Sequence, residues 1–210
     1  MNKKVALITD THFGCRGDAK AFYDSFEHFY TNEFIPHLVK NNIKKVIMLG
    51  DTFDRRKYTS HLTLERAKQM YFRPMEELGI EIHILVGNHD VYFKNTNEVN
   101  TIELMLSEFS NIVTYSKPTD IEMYDTSLSM LPWICSGNYE QSMEFIKNTK
   151  SQILFGHLEL NGFEMYRGVI GSSHGLESSL FEKFDLVFSG HYHHRSTRGN
   201  ITYLGAPYEM

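Results

Sequence analysis

The feature that most constrains this chain is a series of short apolar runs. Each run stops at a glycine or a polar residue, and a carboxylate, amide or imidazole side chain follows almost at once. Residues 5–9 lead into Asp10 and His12, and residues 46–49 lead into Asp51. Three further runs end in the same way, and the side chains that follow them are Asn88, His157, His191 and His193. Because open α/β sheets collect functional groups beyond the carboxyl ends of their strands, these side chains are expected to meet at one edge.

The segments between the runs predict how the chain is organised. Aromatic residues 22, 26 and 29 recur at helical spacing, and Pro36 is expected to kink or divide that helix. Further helices are predicted near residues 62–78, 101–109 and 143–146, and short strands at residues 112–115, 121–124 and 128–131. The sequence therefore predicts an α/β fold of two stacked mixed β-sheets flanked by helices, a four-layer α-β-β-α sandwich, in a single domain over residues 1–210.

Composition sets limits on the class of protein. With 210 residues, 41% of them hydrophobic, the chain can bury one substantial core. The apolar run that follows Lys3 and Lys4 is too short for a signal peptide, and no stretch is long enough to span a membrane. Cys15 and Cys135 do not make a disulfide framework, so a cytoplasmic location is expected. The net charge of −5 argues against nucleic-acid binding by bulk charge alone, but a local basic patch is compatible with it.

The side chains at the strand ends predict a site for two metal ions. Two cations that share a phosphate lie about 3.5–4 Å apart, so a bridging carboxylate is needed, and Asp51 is the candidate because Gly50 allows a sharp turn before it. Mixed oxygen and nitrogen ligands suit Mn²⁺, Fe or Zn²⁺ better than Ca²⁺ or Mg²⁺. The expected ligands are Asp10, His12, Asp51, Asn88, His157, His191 and His193.

The charge of this ligand set predicts the class of substrate. Two dications carry four positive charges, and Asp10, Asp51 and a bridging hydroxide together carry three negative charges. One net positive charge is left to attract a phosphodiester anion. We therefore predict a two-metal phosphoesterase. Each motif taken alone has a structural explanation, such as a surface turn, and the prediction depends on all five occurring in order.

The combined motifs resemble the signature set of the calcineurin-like metallophosphoesterases, over nearly the whole chain. They are Asp10-x-His12, Gly50-Asp51-x-x-Asp54, Gly87-Asn88-His89-Asp90, Gly156-His157 and Gly190-His191-x-His193. Phe53 and the motif spacing are similar to the SbcD-type DNA repair nucleases. Residues 131–133, 156–163 and 173–177 are most similar to the recombination nuclease subunits of T-even-type phages.

The resemblance implies the metallophosphoesterase fold and a division of the ligands between two cations, most often Mn²⁺, with Mg²⁺, Fe or Zn²⁺ as alternatives. One cation would be bound by Asp10, His12, Asp51 and His193, and the other by Asp51, Asn88, His157 and His191. A hydroxide bridging the two metals is expected to attack a DNA phosphorus in line. His89 is expected to stabilise the transition state or protonate the leaving oxygen, with Asp54 accepting a hydrogen bond from it. A helix N-cap is the alternative for Asp54, and a structural role is favoured for Asp90.

The resemblance also implies a biological role. We expect 3′ to 5′ exonuclease and single-strand endonuclease activity in DNA end processing, in the cytoplasm of a bacterium or a phage-infected host. An SMC-like, SbcC-type ATPase subunit would dock through a C-terminal region, and we expect that region and a DNA-capping region to be absent here. A homodimer is expected too, with Tyr71, Phe72 and Met75 as a candidate patch, although burial in the monomer core is the simpler explanation.

Basic residues beside the motifs are candidate DNA contacts, and solvated loop charges are an equally good explanation for each. They are Arg16, Lys20, Arg55, Arg56, Lys57, Arg195 and Arg198. Tyr92 and Phe93 are candidates either for stacking on bases or for the core, and His174 and His194 for touching substrate.

Two other functions compete with a DNA nuclease. A phosphoprotein phosphatase or nucleotide phosphodiesterase of the same superfamily would share the motifs, although phosphoprotein phosphatases normally carry Glu where this chain has Asp90. A non-catalytic scaffold would bind metal and recruit partners without turnover. Activity on DNA, cyclic nucleotides and phosphopeptides with Mn²⁺ separates the three.

Overall fold

A computed structural model describes residues 3–166, 169–170 and 175–208. Its first sheet has four parallel strands, and their order in the sheet is their order along the chain. The strands are β1 (Ala6–Ile8), β2 (Lys45–Met48), β3 (Glu81–Leu85) and β4 (Ile112–Tyr115). All four carboxyl ends therefore lie at one edge, where residues 10, 51 and 88 follow β1, β2 and β3.

The second sheet has six strands in mixed directions. In chain order they are β5 (Thr119–Met123), β6 (Thr126–Leu131), β7 (Ile153–His157), β10 (Leu186–Gly190), β11 (Ser196–Arg198) and β12 (Ile201–Tyr203). The central strands β6, β7, β10 and β12 run parallel, and the edge strands β5 and β11 are antiparallel to their neighbours. Between β7 and β10 the chain forms a small hairpin of β8 (Glu164–Tyr166) and β9 (Val169–Ile170).

Two long helical segments each contain a π-helical turn. In both, the α-helix that follows this turn has a proline in its first turn. The first comprises Lys20–His28, the π-turn Phe29–Phe34 and Ile35–Lys40, and the second comprises His61–Ala67, the π-turn Lys68–Phe72 and Arg73–Glu77. Proline lacks an N–H and clashes with the carbonyl four residues earlier, and a wider turn removes that conflict. The expected division near Pro36 is therefore a local widening of a continuous helix, and Pro74 repeats it.

The remaining helical pieces are shorter. They are a turn at Cys15–Asp18, Thr101–Met105, Tyr139–Asn148 and the 3₁₀ turn Ser178–Phe181. The helix predicted over residues 101–109 ends early, at Met105. Asn100 caps its start by accepting a hydrogen bond from the Glu103 N–H at 2.9 Å. Among the described residues, no helix is both long and apolar enough to cross a bilayer.

The described residues form a core with three parts, which confirms the predicted α-β-β-α layers. Ile47 and Leu85 of the first sheet pack with Met130 and Phe155 of the second, so the two sheets face each other. The long helical segments cover the outer face of the first sheet, and Tyr139–Asn148 packs on the outer face of the second.

The patch suggested for a dimer interface belongs to the monomer core. Tyr71, Phe72 and Met75 each have 0% exposure because their helical segment packs them against the first sheet. They therefore offer no surface to a second copy, and the simpler explanation given above holds for all three.

Candidate metal centre

The loops that follow β1 and β2 run side by side and bring the first two motifs together. Asp10 N–H donates to the Gly50 carbonyl at 3.1 Å, and His12 N–H donates to the Asp51 carbonyl at 3.0 Å. These hydrogen bonds continue the contact between the strands past their ends. The chain then turns sharply, with φ of 50° at Asp10, 40° at His12 and 51° at Asp51, and also 89° at His191. Non-glycine residues with a left-handed backbone are uncommon and cluster at functional sites.

One group of donor atoms consists of Asp10, His12 and His193. The Nε2 atoms of the two imidazoles lie 3.1 Å apart, and the Asp10 Oδ1 atom is 3.8 Å from that of His12 and 3.7 Å from that of His193. Asp10 is fully buried and is oriented by two donors, the Thr9 hydroxyl at 2.7 Å and the His191 N–H at 3.1 Å. This arrangement presents an anionic oxygen and two ring nitrogens to one point.

A second group contains Asp51, His157 and His191, with Asn88 among them. The Asn88 Oδ1 atom lies 2.9 Å from His157 Nε2 and 2.9 Å from His191 Nδ1. The Asp51 Oδ2 atom is 3.3 Å from His157 Nε2 and 3.8 Å from His12 Nε2, so a single carboxylate oxygen faces both groups. That position is the one expected of a bridging ligand.

The hydrogen bonding of His157 tests whether a cation fits this second group. Its Nδ1 atom is 2.6 Å from the Leu49 carbonyl, which only accepts, so Nδ1 carries a proton. In the neutral ring the Nε2 lone pair then points at the oxygens of Asp51 and Asn88, which have lone pairs of their own. A divalent cation placed between them would accept all three lone pairs at once. The hydrogen bond from the other ring nitrogen to a main-chain carbonyl is typical of a metal-ligating histidine.

The pKa shifts show how the residues of the second group are protonated when no cation is bound. Burial alone would lower the pKa of His157, but the adjacent charge of Asp51 outweighs it and raises that pKa to about 9. Burial and the positive charge of His157 lower the pKa of His191 to about 3. Burial would raise the pKa of Asp51, yet His157 holds it well below its usual range. Without a cation, His157 therefore carries the proton and pairs with ionised Asp51, and a bound cation would displace that proton.

His89 and Asp54 lie beside the first group, but their contacts differ from those predicted. His89 Nδ1 is 2.5 Å from the main-chain carbonyl of Asp54, not from its carboxylate. The carboxylate instead lies 3.4 Å from His12 Nδ1, on the side of that ring away from Asp10. The predicted hydrogen bond to the Asp54 side chain is therefore corrected: the main-chain carbonyl of Asp54 accepts the hydrogen bond from His89, and the carboxylate lies at ion-pair distance from the candidate ligand His12. Only the backbone path of the loop decides this, and the sequence does not reveal it.

Asp90 has the structural role favoured from the sequence. Its fully buried carboxylate accepts main-chain hydrogen bonds from Thr52 at 3.0 Å, Phe53 at 3.2 Å and Gly87 at 2.9 Å. It thereby joins the loop after β2 to the loop after β3, which carry Asp51 and Asn88.

One residue beside the site was not singled out for a role by the sequence. Trp133 follows β6, and its ring centroid is 5.3 Å from that of His191 and 6.1 Å from that of His157. The signal was present, because Leu131-Pro132-Trp133 directly follows an apolar strand like the other motifs.

The basic residues have varied surroundings. Lys20 is paired with Asp24 at 2.6 Å, and Arg55 donates to the Tyr58 hydroxyl at 2.5 Å. Lys57 lies 5.8 Å from the ring centroid of Tyr92. Arg16, Arg195 and Arg198 are exposed to solvent, and Arg56 is half-buried.

The remaining aromatic and histidine candidates are divided. Tyr92 and Phe93 are 42% and 50% exposed, so the core explanation does not hold for them. His194 lies 3.7 Å from Glu164, and His174 lies outside the described residues.

Fold and site together define an α/β sandwich with donors for two cations at the sheet edges, the class of the dimetal phosphoesterases. Residues 3–195 match the model of the calcineurin-like phosphoesterase family, and the chain belongs to that family. It is 33% identical over 207 residues to Exonuclease subunit 1 of Enterobacteria phage T4, covering 99% of this chain and 60% of that protein. It is 26% identical over 235 residues to the SbcD subunit of the SbcCD nuclease of Staphylococcus epidermidis, covering 97% of this chain and 60% of that protein.

A solved structure agrees on the fold. A dimetal phosphatase from Danio rerio superposes with a TM-score of 0.59 at 10% identity, over 96% of this chain and 87% of that one. The family resemblance inferred from the motifs is thus confirmed, and the chain spans about 60% of the length of the two nuclease relatives.

Proposed function

We propose that this chain is the nuclease domain of a metal-dependent DNA nuclease, with 3′ to 5′ exonuclease and single-strand endonuclease activity in DNA end processing. One observation carries the proposal: seven donor residues at or just beyond the ends of five strands meet in two adjoining groups, with His89 beside them. Both relatives that align with almost the whole chain are named as nuclease or exonuclease subunits, which favours DNA over a phosphoprotein.

The proposed ligands follow from the two groups of donors. Asp51 would be shared, because its Oδ2 atom faces His12 on one side and His157 on the other. Two bound cations would supply Lewis-acid stabilisation of the phosphoryl oxygens and make water acidic enough to act as a nucleophile. With four imidazoles, one amide and two carboxylates, the set suits Mn²⁺, and Fe or Zn²⁺ fit the same donors.

His89 is proposed to be the residue that acts on the substrate. Its main-chain N–H donates to Asp51 Oδ1 at 2.7 Å, and its ring Nδ1–H donates to the Asp54 carbonyl. Because Nδ1 is already used, Nε2 is the nitrogen available to the scissile phosphate. A protonated Nε2 would stabilise charge on a phosphoryl oxygen or deliver its proton to the departing sugar oxygen.

The names of the relatives support a partner, because each is called a subunit. The partner class proposed is the SMC-like, SbcC-type ATPase that the motif resemblance implies. A homodimer remains part of the proposal, through a surface other than the buried patch described above. The setting proposed is the cytoplasm of a bacterial or phage-infected cell, where the DNA substrate lies.

The proposal is tested by comparing substrates with the metal-loaded protein. With Mn²⁺, an end-labelled DNA duplex should shorten from its 3′ ends, and a circular single strand should be opened. A phosphoserine peptide and a nucleoside cyclic phosphate should be turned over far more slowly. Efficient turnover of either, with intact DNA, would instead identify a phosphatase or nucleotide phosphodiesterase. Asp51→Asn serves as the inactive control, because it weakens the shared ligand without changing its size.

A further inference from the structure

A cavity of about 230 Å³ opens beside the second group of donors. Its walls are mainly apolar and aromatic and include Trp133, Ile134, Cys135, Tyr139, Leu158 and Leu176. His157, one of the candidate metal ligands, is part of the same wall. The volume is below the roughly 300–1,000 Å³ of pockets that enclose whole ligands, so the cavity suits one ring system rather than a complete nucleotide.

The indole of Trp133 is the link between this cavity and the metal centre. It lines the cavity and also packs against the rings of His157 and His191, at centroid distances of 6.1 and 5.3 Å. A group that stacks on this indole therefore lies next to the donors that would bind the phosphate.

The segment that carries Trp133 is firmly held. Its main-chain N–H donates to the Val86 carbonyl at 2.9 Å, and its carbonyl accepts from the side chains of Asn97 at 2.8 Å and Asn138 at 2.9 Å. The Cys135 N–H donates to the Asn138 side chain at 2.8 Å. The stacking surface is thus fixed before any ligand arrives, which lowers the entropy lost on binding.

We propose that this cavity binds the base of the nucleotide that carries the scissile phosphate, stacked on Trp133. The inference rests on the proposed nuclease function and adds a base subsite to it. An aromatic platform accepts every base, because each has a π-face, so the subsite serves a nuclease without sequence preference. Stacking would also hold the nucleotide while its phosphate is attacked.

Trp133 is the one tryptophan in the chain, so its fluorescence reports this position alone. At fixed Mn²⁺, deoxyadenosine monophosphate should change the emission in a saturable way. Deoxyribose 5-phosphate, which has the phosphate but no base, should bind at least about ten-fold more weakly, since stacking dominates base binding of this kind. Equal affinities would overturn the proposal, and so would no response to the nucleotide.

Cleavage kinetics provide the second test. With wild-type protein, removing the base at the scissile nucleotide should raise KM about ten-fold. Trp133→Ala should raise KM for normal DNA by a similar factor and retain its metal content. Its KM should no longer depend on whether the base is present. Trp133→Phe keeps an aromatic ring, so its KM should stay close to that of the wild type and should still rise when the base is removed. Equal cleavage of both substrates by the wild type would refute the subsite while leaving the nuclease function intact. If the wild type cuts no DNA, the proposed function fails, and the fluorescence titration still decides whether the cavity binds a base.

Discussion

Asp51 is the residue on which both groups of donors depend. Its Oδ2 atom faces His12 and His157, and its Oδ1 atom accepts the main-chain N–H of His89. The two oxygens thus have separate roles: Oδ2 is placed to bind the cations, and Oδ1 holds the loop that carries His89. The sequence predicts the first role, since a carboxylate after a glycine at a strand end is a typical ligand. The second depends on the path of a loop 38 residues away in the chain.

Replacing Gly50 by alanine should disrupt the metal centre. Gly50 has a φ of 98°, and a Cβ there would lie 2.5 Å from His157 Nδ1 and 3.0 Å from the Gly87 Cα. We expect a loss of about 2–4 kcal/mol in the free energy of unfolding, from backbone strain plus overpacking, together with weaker Mn²⁺ binding. Urea unfolding in EDTA and metal titration measure the two effects.

Gly79→Ala is the matched control for this substitution. Gly79 also has a positive φ, of 62°, but a Cβ there would meet nothing within 4 Å. It should cost only the backbone term of about 1 kcal/mol and leave metal binding unchanged. Equal effects of the two substitutions would show that the contact with His157 does not matter.

Replacing His89 by alanine should separate metal binding from chemistry. The contact between its main-chain N–H and Asp51 survives the change, so Asp51 should keep its place. We expect unchanged metal content and a fall of about 10²–10⁴ in the cleavage rate, the usual contribution of a general acid or a charge-stabilising donor. Elemental analysis and single-turnover kinetics measure these, and His61→Ala, an exposed histidine, serves as the control. Loss of metal from His89→Ala would assign this residue to the ligands.

At the scale of strands and helices, the sequence predicts positions better than contacts. The strand ends are identifiable because a buried strand and its terminal ligand are local features, visible in five or six consecutive residues. The π-turns before Ile35–Lys40 and Arg73–Glu77 were not predicted, since proline signals a break but not how the neighbouring turn adapts. The sequence predicts two mixed sheets, and the second sheet is mixed, whereas the first sheet is wholly parallel.

The pairing of β3 with β4 places a titratable histidine in the core, with an expected effect on stability. His83 has 6% exposure, and its two ring nitrogens lie 2.7 Å from the Tyr115 hydroxyl and 2.5 Å from Glu81. Burial lowers the pKa of His83 despite the attraction of Glu81. The unfolded chain therefore binds a proton more readily than the folded one, and this contribution to stability is present above pH about 6.5 and lost below it.

The measurement is the free energy of unfolding in EDTA, from pH about 7.5 to about 5. The stability advantage of wild type over His83→Phe should shrink as the pH falls below about 6.5, because His83 adds at most one proton, or about 1.4 kcal/mol per pH unit, to the slope. The comparison isolates His83, since the raised pKa of His157 acts in the opposite direction in both proteins. His83→Phe, which keeps a ring against Tyr115, should be less stable at neutral pH and lose less stability on acidification. An unchanged slope would mean that His83 is not protonated in that range.

At the scale of the whole molecule, the metal centre lies where the two sheets meet. Asp10, Asp51 and Asn88 follow strands of the first sheet, whereas His157 ends β7, and His191 and His193 follow β10 of the second. Bound cations would therefore link the two sheets directly, in addition to the apolar contacts between Ile47, Leu85 and Phe155. Metal binding should thus affect the stability of the entire fold.

We expect Mn²⁺ to raise the melting temperature, and EDTA to reverse the rise. At a free concentration 100 times the dissociation constant, one site adds about 2.7 kcal/mol to the free energy of unfolding. Asp51→Asn should lose most of this gain because it contributes to both groups, whereas the exposed-histidine variant His61→Ala should keep it. Calorimetry at several Mn²⁺ concentrations is the measurement. A melting temperature indifferent to Mn²⁺ would mean that the donors do not bind it in the folded protein.

The left-handed backbone at Asp10, His12, Asp51 and His191 has an evolutionary consequence. Glycine tolerates this conformation best, and a change to glycine would remove a backbone cost of up to about 1 kcal/mol at each position, although aspartate and histidine adopt it more readily than most residues. A lineage selected for folding alone would drift toward glycine at these four positions, and the backbone strain would be relieved as its cation site disappeared. In degenerate descendants of such a chain, decay should therefore be seen first at these strand ends, while the core between the sheets stays intact.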